Sequence, residues 1–171
     1  MKKLIFALIL LTTVGLSVNA QDKPMNYSKP LHLSFGIDGG APLGKYANTS
    51  AFVIGGDLQI QYNVSQNFSV TGSAGIDARL NKGGVVNTVY YAPLLGGLRF
   101  YFSKSVYISE QAGYSISLSK GWSGVFTNVA GVGFKLSPNS DVFVGYKGLF
   151  YTGGIAKFNT LAVRLAYAFG K

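Results

Sequence analysis

The feature that most constrains this chain is the strict alternation of its final stretch, Phe158 to Phe169. One face carries Leu161, Val163, Leu165, Tyr167 and Phe169, and the other carries Thr160, Ala162, Arg164, Ala166 and Ala168. A period of two is that of a β-strand, because successive side chains point to opposite sides of the backbone. Twelve residues is long for a strand of a soluble domain. It matches the roughly 9–11 residues that a tilted strand needs to cross a bilayer core. An outward aromatic at Phe169, followed by Gly170 and Lys171, suits the girdle at a membrane–water interface.

The same alternation recurs seven times upstream, giving an all-β chain of eight strands. The expected strands are Leu31–Gly40, Phe52–Tyr62, Phe68–Arg79, Val89–Phe102, Val106–Leu118, Gly124–Leu136, Asp141–Tyr151 and the final stretch. Asn63–Asn67, Ser103–Ser105 and Ser137–Ser140 are tight connections rich in Ser, Asn and Pro, as turns require. Ala41–Ala51, Asn81–Thr88 and Ser119–Ser123 are longer, and Thr152–Lys157 is short with Gly153-Gly154. Tight turns at one end and longer loops at the other are the arrangement of an outer-membrane barrel. An even strand count returns both termini to the same side. Two residues strain the pattern. Glu110 falls on the apolar face of the fifth strand, where a charge toward lipid is costly, unless a bulge at Ser109–Gln111 turns it inward. Pro93 lacks a backbone donor and is expected at the outer end of the fourth strand or at a bulge.

Met1–Ala20 reads as a cleaved signal peptide: Lys2 and Lys3, an apolar run Leu4–Leu11, then the small-residue ending Val18-Asn19-Ala20. Gln21–Pro30 is a polar periplasmic lead-in, and residues 31–171 form one barrel domain. The chain has no cysteine, which excludes a lipid-anchored lipoprotein and a disulfide framework. Removing Lys2 and Lys3 from the formal charge of +9 leaves +7 for the mature chain. Basic chains often bind nucleic acid, but an exported chain with dispersed basic residues fits anionic lipid headgroups better.

The polar faces carry Ser, Thr and Gly with few charges: Asp38, Asp57, Asp77, Arg79, Arg99, Lys135, Lys147 and Arg164. A soluble barrel would present many charges to water. A sparse, mixed set suits a closed interior, where each buried charge needs a partner. These eight are therefore expected to pair across the lumen as a structural network. The same residues could line a narrow channel.

On this pattern, and on the ending Leu161-Ala-Val-Arg-Leu-Ala-Tyr-Ala-Phe169, residues 31–171 resemble the small eight-stranded outer-membrane barrel proteins of the outer-membrane protein A and X type. They are closest in style to the short barrel-domain proteins of the Bacteroidetes. The resemblance implies an antiparallel up-and-down transmembrane barrel in the cell outer membrane. It also implies that Leu165, Tyr167 and Phe169 form a C-terminal signal for the assembly machinery. In that family the aromatic is usually the last residue; here it is third from last.

Function follows only coarsely. The expectation is a non-enzymatic, monomeric barrel with a side-chain-filled lumen and a structural or surface-interaction role, without cofactor or metal, whose partners are outer-membrane lipid, lipopolysaccharide and, during insertion, the barrel-assembly machinery. A narrow channel is the first alternative, and a soluble periplasmic barrel binding an apolar ligand the second. His32 and Ser34 give a His-x-Ser spacing that superficially resembles lipid A deacylases, but they sit at the start of the first strand and no Glu follows suitably. Tyr46 and Trp122, with nearby lysines, lie in longer loops and are candidate contacts for lipopolysaccharide or a host surface.

Overall fold

The computed structural model describes residues 31–48, 50–82, 88–121, 123–150 and 156–169, without the side chains of 45, 46, 156 and 157. The expected signal peptide and lead-in lie outside the described residues. Eight strands follow in order: β1 (Leu31–Leu43), β2 (Ser50–Asn63), β3 (Phe68–Asn81), β4 (Val89–Tyr101), β5 (Val106–Ser117), β6 (Val125–Lys135), β7 (Ser140–Phe150) and β8 (Ala156–Phe169). Each pairs antiparallel with its neighbours, and β8 closes on β1. Residues 64–67, 102–105 and 136–139 connect strands at one end, the turn end. The opposite end, where β1 meets β2, β3 meets β4, β5 meets β6 and β7 meets β8, is the loop end.

The alternation fixes what each face meets. Outward positions are apolar and exposed, with Ile37 at 54% and Leu94 at 64%. Inward positions are buried and mix polar with apolar side chains, with Ser115 and Thr127 fully enclosed. This inverts a water-soluble barrel, whose apolar row fills the interior. A continuous apolar exterior far exceeds the patches that soluble monomers expose.

Aromatic residues mark two levels on this exterior. Phe100 and Phe102 meet edge to face at 5.3 Å near the turn end, as do Tyr167 and Phe169 at 5.8 Å. Phe126 and Phe150, at 5.9 Å, lie near the loop end. On β2 the levels are marked by Phe52 and Tyr62. Ten residue steps rise about 33 Å along a strand, and a tilt of about 40° projects that to about 25 Å, the height of a barrel's apolar band.

Three local expectations are corrected. First, β1 runs past Gly40 to Leu43, so the loop expected over Ala41–Ala51 is shorter. Pro42 and Leu43 pair with Thr160 and Asn159 of β8; the Ala-Pro-Leu-Gly sequence suggests a turn because its pairing partner lies far along the chain. Second, Pro93 sits within β4 and not at its end or at a bulge. The β4–β5 register runs unbroken through Pro93 and Ser115. On the other side the β3–β4 pairing lapses between Ala74–Leu94 and Asp77–Tyr91 and resumes in the same register. The missing N–H thus opens the ladder locally without shifting it. Third, there is no bulge at Ser109–Gln111. β5 keeps continuous register with β4 and β6, pairing Glu110 with Leu98 and with Ala130. Glu110 therefore stays on the exposed outer face.

Candidate functional site

Among the described residues polar chemistry is concentrated in the lumen, which has three tiers. The central tier holds Asp38, Asp57, Asp77, Lys147 and Arg164. Arg164 grips Asp57 with two parallel bonds: Nε donates to Oδ2 at 2.7 Å and Nη2 donates to Oδ1 at 2.6 Å. This fork-to-fork geometry is the strongest form of the pair. Lys147, 7% exposed, donates to Asp77 and lies 3.9 Å from the Asp38 carboxylate. Small residues make room for these groups. A Cβ on Gly36 would strike the Arg164 guanidinium, and one on Gly55 would strike the carboxylates of Asp77 and Asp38. A cavity of about 60 Å³ remains at this tier, room for a few water molecules.

The turn-end tier is organised by Arg99. Its Nη1 donates to Gln61 Oε1 at 2.9 Å and its Nη2 to Gln59 Oε1 at 3.1 Å. Its guanidinium lies 4.0 Å from the centre of the Tyr107 ring and 3.6 Å from Asp141. The Tyr107 hydroxyl donates to Asp141 at 2.9 Å. Asp141 also lies 4.0 Å from Arg164, joining this tier to the central one. Gln61 donates to Tyr101, Ser69 and Asn63. Beyond Arg99 the lumen widens into a vestibule of about 650 Å³ bordered by His32, Ser34, Lys104 and Lys135 among others.

The loop-end tier is apolar. Val53, Val89, Tyr91, Val125, Leu149 and Phe158 form a buried cluster. Arg79 lies 5.0 Å from the centre of the Phe158 ring, and Ser115 and Thr127 share a 2.6 Å hydrogen bond. The void there is about 10 Å³, at the limit of what a single water needs.

The eight charges read from the sequence are thus divided. Asp38, Asp57, Asp77, Lys147 and Arg164 lie together, Arg99 lies one tier toward the turn end, and Arg79 lies among the loop-end apolar residues. Lys135 stands at the vestibule, 5.6 Å from the Tyr101 ring centre. Sequence reading omitted Asp141, Gln59, Gln61, Tyr101 and Tyr107 from this set. Strand parity could have found them, since all occupy inward positions. His32 and Ser34 border the vestibule, where the Ser34 hydroxyl donates to the Gln59 carbonyl at 3.4 Å. Trp122 and the Tyr46 side chain lie outside the described residues. Leu165, Tyr167 and Phe169 face outward on β8. Among the described residues no cluster of metal-ligating side chains occurs.

No protein-family profile matches the sequence, and no curated protein matches it. Solved structures do. The attachment invasion locus protein Ail of Yersinia pestis aligns with a TM-score of 0.54 at 18% identity, over 81% of this chain and 97% of that one. The chain has the fold of the small eight-stranded transmembrane barrels. Neisserial surface protein A gives 0.52 at 13% identity, over 82% and 98%. A de novo designed transmembrane β-barrel gives 0.56 at 18%, over 83% and 98%.

Proposed function

We propose that the chain is a non-enzymatic integral protein of the cell outer membrane, with a structural or surface-interaction role and a lumen closed to solutes. The carrying observation is the pairing of an apolar exterior with an interior stoppered at the loop end by Val53, Val89, Tyr91, Val125, Leu149 and Phe158. The likeness to outer-membrane barrels such as Ail supports the location. In this reading the turn end faces the periplasm and the loops face outward to lipopolysaccharide. Leu165, Tyr167 and Phe169 present the ending that the barrel-assembly machinery reads.

Membrane fractionation with cold and boiled gel samples tests the location. Heat-dependent migration of protein in the outer-membrane fraction is the expected result. Recovery in the periplasmic extract would instead favour a soluble barrel binding an apolar ligand. Planar-bilayer recording tests the lumen. The charged central tier favours the channel reading, and steady single-channel steps from the purified barrel would establish it; a silent bilayer is expected.

A further inference from the structure

We propose that the outward face of β5 and β6 is the interface of a twofold pair of this chain within the membrane, centred on Glu110 and Asn128. The inference rests on the membrane reading above. Glu110 is the one charged side chain among the described outward residues of the strands. It lies between the rung Phe100–Ile108 toward the turn end and the rung Tyr114–Phe126 toward the loop end, within the apolar band. A carboxylate held there on a regular strand marks a functional position. Asn128 Nδ2 donates to Glu110 Oε1 at 3.2 Å. Among the described residues, the second carboxylate oxygen and the second amide hydrogen have no partner.

Hydrocarbon cannot supply those partners. A second copy related by a twofold axis can. Its Asn128 amide would donate to the first copy's Glu110, and the reverse bond follows by symmetry. Each free amide hydrogen thereby meets one free carboxylate oxygen. The surrounding shape agrees. Gly72, Gly96, Ala112, Asn128 and Gly148 follow one another across β3 to β7 in a single row of paired residues. A Cβ added at Gly72 or Gly96 would meet nothing within 4 Å, so packing within the barrel does not call for glycine there. From Gly72 to Ala112 the row is a shallow trough into which another strand face can settle, as small residues permit at membrane interfaces; at its far end Gly148 is covered by the Phe150 and Tyr146 rings. The opposite side, with Ile37, Leu58 and Val163, carries no outward carboxylate.

The chain has no cysteine, so single reporters are clean. Ala112→Cys and Val163→Cys, each in the full chain in native outer membranes, are treated with a short bifunctional maleimide. Cold and boiled samples are first compared without the reagent. Absence of heat-dependent migration from the membrane fraction would sink the membrane reading and the pair with it. With insertion established, Ala112→Cys is expected to give a band of twice the mass and Val163→Cys none. Adding Glu110→Leu and Asn128→Leu to Ala112→Cys places two more apolar side chains toward lipid, which leaves insertion intact. It should cut the cross-linked fraction by about tenfold, as expected for two intramembrane hydrogen bonds of ordinary strength. Equal cross-linking at both reporters, no cross-linking at Ala112→Cys, a band unchanged by the double leucine variant, or a product of another mass would each overturn the pair.

Discussion

The two ends of the lumen solve the same filling problem with opposite chemistry. At the loop end, six apolar side chains and the Ser115–Thr127 pair fill the space to near exclusion of water. At the turn end, Arg99, Gln59, Gln61, Tyr107 and Asp141 hold one another around a wet vestibule. Apolar packing loses the burial of the side chain removed and keeps a cavity, around which neighbours relax only in part. In a buried polar network, removing one member strands another. On the proposed reading of a closed lumen, the stopper sets what passes, while the charged tiers set whether the barrel holds its shape.

That contrast can be broken most forcefully in the central tier. Lys147→Met leaves Asp77 and Asp38 without their ammonium and should cost about 3–5 kcal/mol of folding stability, read from urea unfolding in lipid vesicles. Adding Asp77→Leu should recover part of the loss. If Lys147→Met unfolds with the wild type, the polar tiers are no more demanding than the stopper. Leu149→Ala comes next, at about 3 kcal/mol for a cavity in the apolar cluster. It should also let conductance steps appear in planar bilayers; a destabilised but silent barrel would mean that the seal lies elsewhere. Tyr107→Phe removes one donor to Asp141 and should cost about 1 kcal/mol. A larger loss would make that hydroxyl the keystone of the turn-end tier. Lys135→Ala, at the half-exposed vestibule edge, should shift unfolding by less than about 0.5 kcal/mol. A greater shift would extend the network to the mouth.

Much of this was legible along the chain because a barrel strand writes its two faces alternately. Every strand was placed within a few residues, and the inward set from Asp38 to Arg164 follows from parity alone. Depth along the lumen was not legible. Arg79 and Arg99 both lie inward, yet one rests on Phe158 and the other on Tyr107. The difference arises from stagger between strands, which no single segment carries. Asp141 opens the expected seventh strand but is absent from the inward set, because a residue next to a turn need not yet keep the strand's parity. In the barrel it is paired with Lys135 and Ala166. Glu110 was read on the correct face by alternation; the bulge was invoked only to avoid its cost.

The closing seam between β1 and β8 has a kinetic consequence. Leu33 pairs with Phe169 and Leu43 with Asn159, so the seam joins the two most distant parts of the barrel. Seven strands are not a smaller barrel but a sheet with two raw edges, and each unpaired amide or carbonyl in hydrocarbon is costly. Loop closure over such a span is slow. Insertion and seam formation should therefore occur as one event, and a chain arrested before β8 docks has no resting state inside the bilayer.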